Sequence, residues 1–458
     1  MFVPFVFYLE NYSNKKCTYH YAGRDVFYMF AEACIRNNWP IISHERYFER
    51  FSKADGDLTD AYISAVSQNY CIRKWPSVDQ IRALNAYPIT QAAEDTLVSE
   101  FQSPFDCMVD LLKNNNEKFE LIIGELLDKI TNDFGKRPEG VTAFTCVPKA
   151  VAKAAEKRNI PIILHLVTIL RQPLTNKFSA AIFTGDITAE RVKARYETFV
   201  SQGAAMPALS RKGLLRLFAN PEFMPRIHDM DNEPEYDVGV LHNNVQVALH
   251  LKEAGYVSDG ELSAKAKAKF KKALIRTRPG FEANEDALDN SASCFEFCCK
   301  CKRVVGFMTK GMFEAMLAGR IAHEYGSFIF HGFCNDGLED ESRGKAPVEF
   351  LNYVLFGLYA PFARLTEPDY LRFLLSNPPE TDLYMRSFKH YTRNISQEDL
   401  EFYYMSDNRA YRIGDPLYFS GGHKQHEYAA YYAGGGDCLY RKAHARGLSA
   451  KAPRLSLT

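Results

Sequence analysis

The chain has 458 residues, enough for two or three domains. Lys plus Arg and Asp plus Glu are equal at 56 each, so no global charge draws it to nucleic acid or to an acidic membrane surface. At 46% hydrophobic and 24% charged it has the composition of a soluble globular protein, which excludes the disordered and fibrous classes.

The first segment, "MFVPFVFYLE", is apolar but lacks a basic leader and is bounded by Pro4 and Glu10. It is too short to span a membrane and reads as a buried strand. No later run reaches the roughly 18 uncharged apolar residues of a span. The expected location is the cytoplasm, with peripheral contact at the inner face of the membrane left open. "AGRDVFYMFAEACIRNN" predicts an amphipathic helix, and Trp39 to Ser43 a short strand. Glu100 to Phe134 carries long helical patterns. "GVTAFTCVPKAVAKAAEKRNIPIILHL" then reads strand, turn, helix, strand. Pro148 suits the helix start, and Asn159 and Pro161 mark the exit into a strand over Ile162 to Val167. This grammar predicts a parallel sheet flanked by helices.

Residues 201–235 are polar and loop-like, and alternation then begins again. "DVGVLHN" predicts a strand, "LSAKAKAKFKKA" a helix, and "ALIRTRPG" a strand ending at Pro279-Gly280. "NSASCFEFCCKC" predicts a helix, "RVVGFM" a strand, "MFEAMLAG" a helix and "RIAHEYG" a strand. Beyond Ala346 the pattern is helical, and the last dozen residues read as a loose tail. The domains expected are 1–225, 235–390 and a C-terminal extension over 391–458, partly disordered. The fold class is α/β.

Several residues carry candidate chemistry. Thr309-Lys310-Gly311 joins a strand to a helix, where backbone N–H groups, a hydroxyl and an ammonium suit a phosphate. Glu314 in the first helical turn could accept from sugar hydroxyls. An ordinary strand-to-helix junction, with Thr309 as N-cap, has the same residues. Arg278 beside a tight turn can grip a phosphate with two N–H groups, and Ser291 and Ser293 either cap a helix or bond a nucleotide. His165 and His242 end apolar strands expected to face a ligand, and Asp186 lies in a Gly-containing turn, so these three are the candidate catalytic groups. Eleven cysteines without a secretion signal read as reduced thiols. Cys294, Cys298, Cys299 and Cys301 have no second C-x-x-C pair nearby and read as buried thiols on a helix running into a strand, with no metal. There is no G-x-G-x-x-G loop after the first strand, which counts against a dinucleotide enzyme.

"LDNSASCFEFCCKCKRVVGFMTKGMFEAMLAGR" and "VEFLNYVLFGLYAPFARLTEPDYLRFLLSNPPE" resemble the C-terminal half of bacterial capsular and O-antigen polysaccharide glycosyltransferases. The likeness is nearest to the retaining β-Kdo transferases and runs over roughly residues 140 to 390. Arg278-Pro279-Gly280, Asp289/Ser291/Ser293, Lys300 to Arg303 and Thr309 to Leu317 correspond in order to motifs of that family. "NIPIILHLVTILRQPL" is similar to its N-terminal strand and places Arg171 as an acceptor or anion contact. Arg278 stands where the family has His, Leu166 where it has Glu, and Asn243 and Asn244 where it has an acid-rich strand. The resemblance implies a GT-B-like fold, two Rossmann-like domains with parallel sheets facing across a cleft and a helical C-terminal extension. It implies a glycosyltransferase taking a nucleotide-activated sugar, CMP-linked, to a glycan or glycolipid acceptor. In it Arg278, Ser291, Ser293, Thr309, Lys310 and Glu314 hold the nucleotide. No separate cofactor, metal or nucleic acid is expected. The missing acids keep open a second reading, an inactive relative that serves as a glycan- or partner-binding scaffold.

Overall fold

The structure is a computed structural model. It describes residues 1–7, 9, 19–51, 75–144, 147–167, 169–170, 174–175, 179–185, 188–202, 206–242, 258–277, 288–307, 309–326, 329–396 and 411–413. The chain divides into two compact units. The first comprises Met1–Thr168, Phe178–Asp186 and Pro361–Pro378; the second comprises Ile169–Lys177, Ile187–Ala360 and Pro379–Thr458.

The first unit is built on strands β1 (Phe2–Val6), β2 (Pro40–His44), β3 (Asn85–Ile89), β4 (Gly140–Phe144), β5 (Ile162–Val167) and β6 (Ser179–Thr184). The second holds β7 (Met206–Ala208), β8 (Tyr236–Leu241), β9 (Ala273–Arg276), β10 (Cys301–Phe307), β11 (Ile321–Tyr325) and β12 (Asn335–Asp336). β13 (Tyr359–Pro361) lies where the chain returns to the first unit, and β14 (Tyr411–Ile413) pairs antiparallel with β7.

The first sheet has the order β13-β6-β5-β4-β1-β2-β3. β1 to β5 are mutually parallel and β6 is antiparallel to β5. Every residue of β1, β2 and β4 is buried, as expected of parallel strands covered on both faces. One covering helix, Glu117–Phe134, is capped by the Asn116 side chain, which accepts from Phe119 N, and it stops at Gly135 with φ 63°. The second sheet has the order β12-β11-β10-β8-β9, all parallel. Helices Asp259–Lys269, Cys294–Cys299 and Gly311–Leu317 connect its strands. Val238, Val240, Ile275, Val305 and Phe307 pack there against Leu262 and Ala266 of the first of these helices.

Each sheet is doubly wound and Rossmann-like. From β1 the chain proceeds outward to β2 and β3, and from β4 to β5 and β6 on the other side. In the second sheet it runs from β8 to β9 one way and from β10 to β11 and β12 the other way. The strand order therefore reverses between β1 and β4 and between β8 and β10. Outside the carboxyl ends of such adjacent strands the connections diverge and leave a crevice.

Three expectations are revised. The strand expected to run to Pro279-Gly280 ends at Arg276, and 278–280 lie outside the described residues. The helical stretch after Ala346 is broken into a helix (Val348–Tyr353), a π-helical turn (Val354–Leu358), β13 and a 3-10 turn (Phe362–Thr366). Enlistment of Tyr359–Pro361 as an edge strand overrides local propensity there. Residues 187–225, expected with the first domain, group with the second unit. Asn352 explains part of this, because its side chain accepts from Leu209 N at 2.7 Å and donates to Leu209 O at 2.7 Å. Arg195 adds a two-pronged pair with Glu380 at 2.6 and 2.9 Å. Of the extension over 391–458, only 391–396 and 411–413 lie among the described residues. No helix among the described residues is long and apolar enough to cross a membrane.

Candidate functional site

In the second unit the reversal of strand order places two chain exits side by side. Leu241 of β8 is in register with Gly306 of β10, so His242 and the Thr309-Lys310-Gly311 turn leave the same end of the sheet. The turn is seated tightly. A Cβ at Gly306 would stand 2.9 Å from the Thr309 methyl and 3.3 Å from Leu241 O. One at Gly311 would stand 2.5 Å from Leu241 Cδ1 and 3.2 Å from Cys294 Sγ. Glycine at both positions lets the turn close onto β8 and onto the start of the Cys294–Cys299 helix.

The amides of this junction are used internally. Gly311 N donates to Thr309 Oγ1 at 3.2 Å, Met312 N to Thr309 O at 3.2 Å and Phe313 N to Lys310 O at 3.0 Å. The sequence expectation that these amides point at a ligand is thus corrected. An anion at this position would meet the Thr309 hydroxyl proton and the Lys310 ammonium, both on half-buried residues. His242 is also half-buried, and its Nε2 lies 2.7 Å from Ser263 Oγ. Glu314 does not stand open to a ribose: it is 3% exposed, and its charge helps raise the Cys298 thiol.

Ser293 is buried and caps the Cys294–Cys299 helix, its hydroxyl accepting from Glu296 N at 3.1 Å. Ser291 donates to Asp289 Oδ1 at 2.6 Å. The Asp289 side chain is fully buried and also binds Arg276 at 2.5 Å and Lys300 at 3.2 Å. Burial alone would raise its pKa, but the bonds from Ser291, Arg276 and Lys300 outweigh that and hold the carboxyl below the usual range. Beside this cluster is a cavity of about 450 Å³, bordered by Arg226, Asn290, Ser291, Glu296, Cys299 and Lys300. Arg226 pairs with Glu296 at 2.6 Å across it. The thiols lie on the helix and at the head of β10, with Cys298, Cys299 and Cys301 buried as expected and Cys294 only half-buried. Burial pushes Cys299 and Cys301 up to about 12, so they stay protonated.

Asp186, Arg171, Arg278, Asn243 and Asn244 lie outside the described residues. His165 is placed otherwise than expected. It lies inside β5, paired in register with Phe144 and Ile182, is 0% exposed, and has the Phe30 ring 6.1 Å away. Burial lowers its pKa to about 3, so the imidazole is neutral and sealed in the sheet. Leu166 beside it is buried as well.

Two features escaped the sequence reading. At the carboxyl end of β2, His44 Nδ1 lies 2.7 Å from Glu94 Oε2, and Arg46 pairs with the other carboxylate oxygen. Phe7 stacks on the imidazole at 4.4 Å. His44 and Glu94 are 50 residues apart, and only the pairing of β2 with β3 brings them together. The second is Glu324 near the end of β11, 0% exposed and without an ionic partner among the described residues. Its single local signal is an acid inside the strand "RIAHEYG".

No family model matches the chain, and no curated protein matches it. Among solved structures it is similar to the KpsC β-Kdo 2,7 transferase of Thermosulfurimonas dismutans, at 13% identity and a TM-score of 0.33, over 56% of this chain and 90% of that one. It is also similar to the UDP-GlcNAc 2-epimerase of Methanocaldococcus jannaschii, at 11% identity and a TM-score of 0.31, over 82% of this chain and 100% of that one. For the spinosyn forosaminyltransferase SpnP the values are 11% and 0.26, over 85% and 99%.

Proposed function

We propose that the protein is a glycosyltransferase that takes a sugar from a nucleotide-activated donor to a glycan or glycolipid acceptor. The observation that carries this reading is the reversal of strand order between β8 and β10, which makes His242 and the Thr309-Lys310-Gly311 turn leave the same end of the sheet. The Lys310 ammonium and the Thr309 hydroxyl would stabilise the phosphate as the bond from the anomeric carbon to its oxygen breaks. The acceptor hydroxyl oxygen attacks that carbon, and His242 takes its proton. The motif order of the sequence supports a CMP-linked donor, Kdo among them, and a role in cell-surface polysaccharide synthesis in the cytoplasm. Ser293, which caps the Cys294–Cys299 helix, and Ser291, which bonds Asp289, are proposed to support the site indirectly, and Arg278 is kept as a proposed nucleotide contact.

Leu166, an apolar residue packed in β5 where the resembling family has a catalytic acid, favours a second reading: a scaffold that binds glycan or a partner without turnover. Calorimetric titration with CMP, UDP, GDP and dTDP separates the two. Micromolar binding of one nucleotide, lost in Lys310→Ala, supports the transferase and names the base. Binding of none of the four overturns the transferase reading in favour of the scaffold.

A further inference from the structure

Glu324 is fully buried on β11, in register with Gly306 of β10 and Asp336 of β12. Gly306 has no side chain to cover it, and the Thr309 backbone N–H is directed at the carboxyl. Among the described residues neither carboxyl oxygen completes a hydrogen bond of full geometry. Among the described residues no salt bridge reaches it. Asp336 on β12 is an exposed acid, the Cys334 thiol before β12 is raised in part by Glu324 itself, and β10 contributes only Gly306. An ionised carboxylate in such a position is far more costly than a neutral acid.

We propose that Glu324 is a neutral carboxylic acid that supports the Thr309-Lys310-Gly311 turn from the neighbouring strand and sets the affinity of the crevice for anions. This rests on the reading of the crevice as a nucleotide site. Glu324 is a positioning residue and does not touch the ligand. In its neutral form it lets the turn settle against β11 and leaves the Lys310 charge undiminished. Once ionised, it adds negative charge beneath the place where a phosphate would bind. Burial holds the carboxyl pKa well above the ordinary value, so the neutral form persists above the usual carboxylate range and ionises as pH rises. Anion affinity therefore falls with rising pH, by at most about tenfold per pH unit for one linked proton.

The test compares the full chain with Glu324→Gln, whose amide mimics the neutral acid. Infrared difference spectra at neutral pH should show the C=O stretch of a protonated carboxyl in the wild type only; its absence overturns the proposal whatever nucleotides do. Titrations with CMP, UDP, GDP and dTDP from neutral to alkaline pH should show wild-type affinity falling and the variant flat. Equal slopes in both proteins overturn the control of affinity. If no nucleotide binds at any pH, the transferase reading fails, and hydrogen exchange at the Thr309 to Gly311 amides decides the proposal instead. A change in the protection of these amides with pH that appears in the wild type alone upholds the coupling of Glu324 to the turn, and identical exchange in both proteins overturns it.

Discussion

Ser263 Oγ lies 2.7 Å from His242 Nε2, joining the helix after β8 to the residue that leaves the strand's carboxyl end. The bond occupies one ring nitrogen, and with the proton on Nε2 it makes Nδ1 the basic one. Ser263 is buried, so the ring is oriented from inside the unit. If His242 is the base, His242→Ala should lower turnover by roughly a hundredfold to ten-thousandfold, with nucleotide affinity nearly unchanged. Ser263→Ala should lower turnover less and shift the pH profile, because the ring loses its fixed tautomer. Equal turnover in wild type and His242→Ala removes His242 from the chemistry.

Lys310→Ala removes an ammonium that would form charge-assisted bonds to phosphate. The expected loss is about 1.5–3 kcal/mol of nucleotide binding, roughly tenfold to a hundredfold in Kd. Calorimetry with salt varied should also show a weaker salt dependence in the variant.

Gly306→Ala drives a methyl against the Thr309 methyl, at 2.9 Å, and Leu241 O, at 3.3 Å. Strand and turn must separate slightly, at about 1–3 kcal/mol in a denaturant melt, and nucleotide affinity should fall with stability. Gly260→Ala is the control. Nothing lies within 4 Å of its added Cβ, so it should be neutral or stabilising by about 0.4–1 kcal/mol.

His165 predicts a specific acid sensitivity. Its folded pKa is held near 3 by burial, against 6.5 for a free imidazole. The unfolded chain therefore binds a proton that the folded chain refuses. The contribution is fully present above about pH 6.5 and is lost at about 1.4 kcal/mol per pH unit as pH falls toward 3. His165→Phe, an apolar ring of similar volume, should flatten the stability profile over that window. Parallel wild-type and variant profiles would show that the proton is accommodated in the folded state.

Turnover should survive EDTA. The chemistry proposed assigns phosphate stabilisation to Lys310 and Thr309 and asks nothing of a divalent ion. Activity lost to chelation and restored by a divalent cation would relocate that role to a metal.

The sequence by itself determined the elements whose signals are local. The strand over Ile162–Val167, the helix from Gly311 and the thiol-bearing helix running into β10 follow from periodicity and breakers within a few residues. That is also why Thr309, Lys310 and His242 were legible as candidates. Tertiary structure alone decided which of these groups became buried or paired. His165 sits at the end of an apolar pattern, yet β4 and β6 flank it and seal it in. Asp289 is an ordinary loop acid until Arg276 and Lys300 close on it. Glu324 is one acid in a strand until the placing of β11 between β10 and β12 buries it, with no ionic partner among the described residues. The assignment of 187–225 to the second unit rests on pairs such as Leu209 and Asn352, 143 positions apart. Backbone propensity acts over a turn or two of chain. Desolvation and ion pairing act through space, so they become determinate only when the strand order is known.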